Sequence, residues 1–110
     1  MEYSSLFWNF NIKMRIVTFK RIQEFSNEYP QAKSALEDWY YKTCRAEWKN
    51  LIDIKQSFSS ADYVGNNRFV FNVKGNNFRL VAIVIFASQK VYIRFIGTHA
   101  DYDRIDCSSI

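Results

Sequence analysis

Residues 68–98 read RFVFNVKGNNFRLVAIVIFASQKVYIRFIGT, and this stretch decides the fold. Its apolar side chains recur with the period of two that is typical of strands with one buried face. Gly75 and Asn76 have the composition of a two-residue hairpin turn with positive φ, and Ser88 and Gln89 mark a second turn. The stretch therefore predicts three antiparallel strands joined by two hairpins.

The two turns set a pairing register, and the register assigns each side chain to one face of the sheet. The first turn predicts that Asn72 pairs with Arg79, and the second that Phe86 pairs with Val91. One predicted face is apolar throughout: Phe69, Phe71, Val73, Phe78, Leu80, Ala82, Val84, Phe86, Val91, Ile93 and Phe95. The other mixes cations and an amide with apolar residues: Arg68, Val70, Asn72, Lys74, Arg79, Val81, Ile83, Ile85, Tyr92, Arg94 and Ile96. Helices are therefore expected on the first face, and Asn72, Arg79 and Arg94 are expected to converge on the second.

The residues before this stretch mostly have a helical period. Residues 15–19 form a strand-like run, and Ile22, Phe25 and Tyr29 then mark a helix that ends before Pro30. Two further helical stretches have the following positions on one side: Ala32, Leu36, Trp39, Tyr40 and Thr43, then Trp48, Leu51, Ile54 and Phe58. Residues 57–62 are expected to form a loop into the strands. The order predicts an α+β fold, an antiparallel sheet with N-terminal helices packed on one face and a short C-terminal helix.

The end of the last predicted strand matches a helix N-terminus. Thr98 and Asp101 have the spacing of a capping box, with Thr98 as the N-cap. His99 then lies in the first turn, with Tyr102 three residues further along. Because helix N-termini attract anions, these residues beside the sheet cations predict a phosphate site with titratable groups. A purely structural interpretation also fits, in which His99 belongs to the cap and Tyr102 packs against the sheet edge.

The charge of the chain is unevenly distributed. The 110 residues include 15 Lys+Arg and 11 Asp+Glu, a formal net charge of +4. Residues 65–99 contain five of the Lys or Arg residues and neither Asp nor Glu. The low strand preference of acidic residues accounts for the missing acids but not for the cations. This segment therefore favours a polyanionic partner such as RNA.

The sequence also argues against several classes of protein. Its longest apolar run, residues 80–87, is far shorter than the ~18 residues of a membrane-spanning helix. Cys44 and Cys107 are too few for a disulfide scaffold and lack metal-ligand spacing. Free thiols in a cytoplasmic protein without a metal or other cofactor are expected. Residues 1–13 lack a signal-peptide pattern and are interpreted as an extension before a domain that spans 14–110.

Several strings resemble the HigB family of type II toxins, which is part of the RelE-like superfamily. They are MRIV at 14–17, WKNL at 48–51, DIK at 53–55, FNVKGNNFRL at 71–80, VYIRFIGTH at 91–99 and DYD at 101–103. The resemblance implies a RelE-like fold and a ribosome-dependent mRNA endonuclease. It also implies a HigA antitoxin with a helix-turn-helix domain that holds the toxin inactive.

The resemblance further implies cleavage without a metal, in which the RNA 2′-hydroxyl attacks the adjacent phosphate. Arg79 and Arg94 match the sheet arginines of the family, and His99 and Tyr102 match its C-terminal acid–base pair. We expect both arginines to bind the scissile phosphate and stabilise developing charge. His99 is expected to act as general acid or base, and Tyr102 to share that role or to stack on a base. The expected RNA contacts are Lys55, Arg68, Asn72 and Lys74.

Two other functions fit the same charge pattern. A non-catalytic RelE-like protein that binds RNA or a partner needs neither His99 nor Tyr102. A toxin directed at DNA gyrase needs no chemistry at a 2′-hydroxyl. A neighbouring gene for a short helix-turn-helix protein favours the toxin–antitoxin interpretation, and mapping of mRNA ends after induced expression separates the three functions.

Overall fold

A computed structural model describes residues 12–110, so nearly all of the predicted extension 1–13 lies outside the described residues. The elements along the chain are β1 (Arg15–Val17), α1 (Phe19–Glu28), a 3-10 turn (Pro30–Ala32), α2 (Lys33–Arg45), α3 (Leu51–Ser57), β2 (Asp62–Gly65), β3 (Arg68–Val73), β4 (Phe78–Ile85), β5 (Lys90–Thr98) and α4 (His99–Tyr102). The predicted α+β architecture, with helices before the main strands and a short helix after them, is confirmed.

The described strands form one sheet with the order β1-β5-β4-β3-β2. The pairs β2–β3, β3–β4 and β4–β5 are antiparallel, whereas β1 is parallel to β5. The sheet is therefore mixed, and the prediction of a purely antiparallel sheet was wrong for β1, because a three-residue run carries no signal of its direction. The prediction of a loop through residue 62 was also wrong, since β2 begins at Asp62. The side chains of Asp62 and Tyr63 are both exposed, so this edge strand lacks the alternation that marks a buried face.

The helices pack on one sheet face through the positions that the helical period predicts. In α2, the side chains of Leu36, Trp39, Tyr40 and Thr43 are buried. The ring of Phe71 on β3 lies 5.5 Å from the Trp39 ring and 6.1 Å from the Trp48 ring, measured between centroids. These aromatic contacts join the helical half of the chain to the centre of the sheet.

The first hairpin has the predicted register and the second does not. Asn72 pairs with Arg79, as predicted. In the second hairpin, Val91 pairs with Val84 and not with Phe86, so the connecting loop is four residues long. Gln89 ends this loop with a φ of +56°, and its side-chain amide donates to the Phe86 carbonyl at 2.8 Å. These contacts form a longer turn that the two-residue interpretation did not anticipate.

A β-bulge in β5 changes the face of the residues that follow it. Ile93 pairs with Ala82 and Phe95 pairs with Val81, so Arg94 is the extra residue. Phe95 consequently lies on the face opposite the helices, and Ile96 packs against the helix-side core. The predicted faces of these last two residues were therefore wrong, since an extra residue reverses the alternation beyond it.

The sheet face opposite α1, α2 and α3 is called the open face here, and its first cross-strand row contains Asn72, Arg79 and Gly97. The next row is covered, because Val70 and Val81 are only 7% and 0% exposed although no helix of the N-terminal half packs on them. Residues 103–110, called the C-terminal segment here, follow α4 and contact this face. Within residues 12–110, no helix is both long enough and apolar enough to cross a bilayer.

The predicted capping box at α4 is present. The Thr98 hydroxyl accepts a hydrogen bond from the Asp101 amide at 3.1 Å, and the Asp101 carboxylate accepts one from the Thr98 amide at 3.3 Å. These two bonds satisfy backbone donors that a helix leaves without partners and fix the start of α4 at the end of β5.

Replacing Thr98 by alanine is expected to lower the free energy of unfolding by about 1 kcal/mol, because the cap acceptor is lost. Thr98→Ser keeps the hydroxyl and is the matched control, with an expected loss well below that of the alanine variant. Urea unfolding followed by tryptophan fluorescence measures both. Equal stability of the two variants would contradict the capping role.

Candidate functional site

Arg79 lies at the centre of the candidate site, on the open face of β4. Its Nη1 donates to the carbonyl oxygens of Asn76 at 3.2 Å and Phe78 at 3.3 Å, and its Nη2 donates to the Asn76 side-chain oxygen at 3.1 Å. The guanidinium is thus held by the loop of the first hairpin. Because its partners are neutral oxygens, its positive charge is oriented without being paired.

Gly97, which pairs with Arg79, makes room for α4 on the open face. A Cβ atom at this position would lie 2.5 Å from Cζ of Phe95 and 3.1 Å from Cβ of Asp101. The first distance is shorter than real Cβ contacts allow, so a larger residue would displace the Phe95 ring or α4. The absence of a side chain here brings α4 close to Arg79.

Tyr102 is the α4 residue that meets Arg79. The Arg79 Cζ lies 5.9 Å from the Tyr102 ring centroid, within the range of a cation–π interaction. The Tyr102 hydroxyl donates to Sγ of Cys107 at 3.5 Å. Burial, followed by the hydrogen bond to Cys107, raises the pKa of Tyr102 from its ordinary 10 to about 12, and Arg79 partly opposes this shift. The phenol is therefore protonated at neutral pH and can only donate a proton.

His99 has a different environment from Tyr102, although both lie in α4. The His99 Nδ1 is 3.2 Å from Oδ2 of Asp103, and the two side chains are 49% and 61% exposed. The His99 backbone amide donates to the Asn77 carbonyl at 3.2 Å, which ties the start of α4 to the first hairpin. A carboxylate at Nδ1 orients the ring and leaves Nε2 for a ligand.

The structure thus joins Arg79 to Tyr102, and His99 to Asp103. Asp103 was not among the predicted site residues, although its spacing of four from His99 is the spacing of neighbours on a helix surface. Arg94 is exposed in the bulge of β5. It precedes Gly97 by three residues, which corresponds to ~10 Å along an extended strand. Its backbone carbonyl accepts from Nη1 of Arg21 at 3.3 Å, which ties the bulge to α1.

The four predicted RNA-contact residues occupy four different places. Asn72 lies directly opposite Arg79 on the neighbouring strand. Lys74 is exposed in the first hairpin turn with a φ of +53°. Lys55, on α3, lies 3.5 Å from the Asp62 carboxylate at the outer edge of the sheet. Arg68 is bound by backbone carbonyls of Asn66 and the C-terminal segment.

The electrostatic pattern that the sequence shows is retained in three dimensions. Within the described residues, no Asp or Glu carboxylate lies within 4.0 Å of a side-chain nitrogen of any of the five cations in residues 65–99, which are Arg68, Lys74, Arg79, Lys90 and Arg94. In the same part of the chain, no three His, Cys, Asp or Glu side chains are grouped as metal ligands. The open face therefore offers cationic hydrogen-bond donors beside a histidine–carboxylate pair, an arrangement suited to a phosphate group.

The family model HigB_toxin, described as the RelE-like toxic component of a toxin-antitoxin system, matches residues 32–105. The chain belongs to the HigB toxin family. The match spans all eight predicted site residues of this HigB-family chain, from Lys55 to Tyr102. It confirms the resemblance that the sequence strings carry.

Curated HigB proteins align with most of the chain. The mRNA interferase toxin HigB of Escherichia coli (strain K12) is 38% identical over 93 residues, which cover 82% of this chain and 88% of that relative. The mRNA interferase HigB of Shigella flexneri has the same identity and coverage. The mRNA interferase HigB of Escherichia coli O6:H1 is 26% identical over 94 residues, with coverages of 84% and 91%. The described fold is consistent with the RelE-like fold of this family.

The raised pKa of Tyr102, about 12 against an ordinary value of 10, predicts a specific dependence of stability on pH. The folded state holds the phenolic proton more tightly than the unfolded state, so the resulting stabilisation is fully present below pH ~10 and is lost as the pH rises through ~12. Tyr102→Phe cannot ionise at this position and is expected to lose less stability over that window. Urea unfolding of both proteins between pH 9 and pH 12 measures the difference, and identical profiles would contradict the assignment.

Proposed function

We propose that this HigB-family chain is the toxin of a type II toxin–antitoxin system and an endoribonuclease that cleaves mRNA. Support for mRNA as the substrate comes from relatives at 38% identity that are named mRNA interferases. The observation that carries the proposal is the site itself, where an uncompensated guanidinium, a helix start and a histidine–carboxylate pair adjoin one another.

The proposed reaction is an internal transfer of the RNA phosphate. The 2′-hydroxyl loses its proton to a base and attacks the adjacent phosphorus, and the bond from phosphorus to the 5′-oxygen breaks. The leaving 5′-oxygen takes a proton from an acid, which gives a 2′,3′-cyclic phosphate and a free 5′-hydroxyl. This sequence requires a group that exchanges protons and donors that stabilise the additional negative charge on the phosphate.

His99 is the proposed proton-transfer group. Its half-exposed ring is reachable by a substrate, and the Asp103 carboxylate at Nδ1 orients the ring. Tyr102 is less suited to serve as the base, because its partly buried phenol is protonated and bound to Cys107. We assign Tyr102 to the support of Arg79, with a proton-donor role as the alternative.

Arg79 and Arg94 are the proposed phosphate ligands. The carbonyl oxygens around Arg79 fix the direction of its guanidinium, so little reorganisation is needed when a phosphate binds. Arg94 extends from the bulge on the adjacent strand, where its exposure leaves the side chain free to reach the same phosphate or its neighbour.

The remaining predicted contacts are proposed to hold the RNA on either side of the scissile phosphate. Asn72 faces Arg79 across the strand pair and is placed to contact the ribose or to orient the guanidinium. Lys74 at the hairpin turn is exposed, and a cation there can follow an RNA backbone without a fixed geometry. Lys55 at the sheet edge is proposed to contact RNA after release from Asp62.

The proposed partners are the translating ribosome and a HigA-like antitoxin with a helix-turn-helix domain. The family description names a toxin–antitoxin system, which supports an antitoxin encoded nearby. Dependence on the ribosome, and therefore action in the cytoplasm, is the finer part of the proposal. Cleavage of the same message with and without purified ribosomes tests it.

The variant His99→Ala is expected to abolish growth inhibition and mRNA cleavage while the chain still folds, because the side chain is half exposed and contributes little to the core. Mapping of mRNA 5′ ends after induced expression, and with purified ribosomes, measures cleavage in both proteins. Asp103→Asn is expected to give an intermediate loss, since the ring remains but its charged partner is removed.

Lys20→Ala is the control for these variants, because Lys20 lies on α1 with an 82% exposed side chain and pairs with Glu24. It is expected to cleave like the wild type. A fully toxic His99→Ala protein would reject the proton-transfer assignment. An intact fold and RNA binding with no cleavage by the wild type would instead favour the non-catalytic binding protein.

The variant Lys74→Ala is expected to weaken RNA binding and to reduce its salt dependence by about one phosphate contact, a change of ~0.7 in the slope of log K against log salt for a single strand. Fluorescence anisotropy with a message carrying a 2′-deoxy nucleotide at the cleavage position measures binding without cleavage. An unchanged slope would remove Lys74 from the interface.

A further inference from the structure

The side chain of Arg68, a predicted RNA contact, is already bound within the chain, mainly by the C-terminal segment. Its Nε and Nη2 donate to the main-chain oxygen of Ile110, the last residue of the sequence, at 2.9 and 2.5 Å, and its Nη1 donates to the carbonyl oxygen of Asn66 at 2.9 Å. All three nitrogens of the guanidinium therefore have a partner within the chain. An RNA phosphate that bound Arg68 in the forked geometry would have to displace these main-chain oxygens.

Asn66 provides a second tie to the same segment. Its Nδ2 donates to the carbonyl oxygen of Ser108 at 2.8 Å. Asn66 has a φ of +51°, a left-handed conformation that asparagine and glycine adopt more readily than other residues. The turn between β2 and β3 is thus shaped so that Asn66 and Arg68 both reach the segment that follows α4.

The C-terminal segment is also braced from within. The Asp106 carboxylate accepts hydrogen bonds from the Ser108 amide at 3.2 Å and from the Ser108 hydroxyl at 2.8 Å. The Ser109 hydroxyl donates to the Asp106 carbonyl at 3.2 Å. This local turn gives the segment a defined shape to present to Asn66 and Arg68.

The segment connects this turn to the candidate site. Cys107 accepts the hydrogen bond from the Tyr102 hydroxyl, and the Tyr102 ring lies against the Arg79 guanidinium. The side chains of Val70 and Val81 are also buried on the open face. A continuous set of contacts therefore runs from Arg68 through the C-terminal segment to Arg79.

We propose that Asn66 and Arg68 form a clamp on the C-terminal segment that keeps Tyr102 against Arg79. Arg68 is then a positioning residue for the reaction and not one of the RNA contacts. The proposal rests on the proposed function for the role of Arg79 toward RNA, whereas the clamp itself is a property of the fold that can be measured without RNA.

The test compares Arg68→Ala, Asn66→Gly and the wild type by the reactivity of Cys107. Asn66→Gly keeps the left-handed turn available while it removes the side-chain tie, so it remains informative if Arg68→Ala does not fold. Each variant is expected to increase the rate at which Cys107 reacts with a soluble aromatic disulfide reagent, by about tenfold for Arg68→Ala, the effect of losing a hydrogen bond from a charged group. Cys44 is 1% exposed and serves as the internal reference for global unfolding.

The same proteins are then tested for cleavage of mRNA on purified ribosomes and for binding of the 2′-deoxy message. The clamp predicts that Arg68→Ala lowers the single-turnover cleavage rate by about tenfold and leaves the salt slope of binding unchanged. Lys74→Ala is the matched control, with the opposite pattern of a reduced salt slope and unchanged Cys107 reactivity.

Three outcomes would overturn the proposal. A salt slope reduced by ~0.7 with unreactive Cys107 would make Arg68 an RNA contact. Faster cleavage in the variants would make the C-terminal segment inhibitory. Reactive Cys107 with an unchanged cleavage rate would separate the segment from the site. If the wild type cleaves no RNA, the proposed function fails. The reaction rates of Cys107 and the pH dependence of stability that Tyr102 causes would still decide whether the clamp holds the Tyr102 ring in place.

Discussion

The candidate site depends on one extra residue in β5. Without the bulge at Arg94, the alternation along β5 would continue, Phe95 would enter the helix-side core, and Gly97 would no longer lie opposite Arg79. With the bulge, Phe95 lies beside Tyr102 on the open face, with 6.5 Å between the ring centroids. Gly97 then leaves space for α4. One local change of register therefore decides which residues reach the phosphate-binding surface.

Much of the fold could be predicted from the sequence because its signals are local. The helical period identified the buried side of α2, the glycine at the first turn set the β3–β4 register, and the spacing of Thr98 and Asp101 located α4. The bulge could not be predicted, since it only exchanges the faces of Phe95 and Ile96, and both side chains are apolar. The parallel direction of β1 and the exposed edge strand β2 depend on contacts between distant segments, for which a short run of residues carries no signal.

The site residues show the same division between local and distant information. Arg79 and Asn72 were predicted as neighbours because they follow from the first hairpin. The pairing of His99 with Asp103 was missed, although helix spacing alone could have found it. The attachment of Arg68 to the C-terminal segment joins residues 42 positions apart, and its acceptor there is the main-chain oxygen of Ile110, which no pattern of side chains can indicate.

The neutral partners of Arg79 have a further consequence for the chemistry of the open face. A carboxylate beside Arg79 would fix the guanidinium but would also cancel the charge that a phosphate needs, whereas carbonyl oxygens fix its direction and leave the net charge in place. The acidic side chains nearby are used elsewhere, at the α4 cap and beside His99. Tyr102 completes this arrangement, because a partly buried, protonated ring supports the guanidinium without adding negative charge. The partial burial that disfavours Tyr102 as a base thus suits it to hold Arg79, while proton transfer is left to the exposed imidazole.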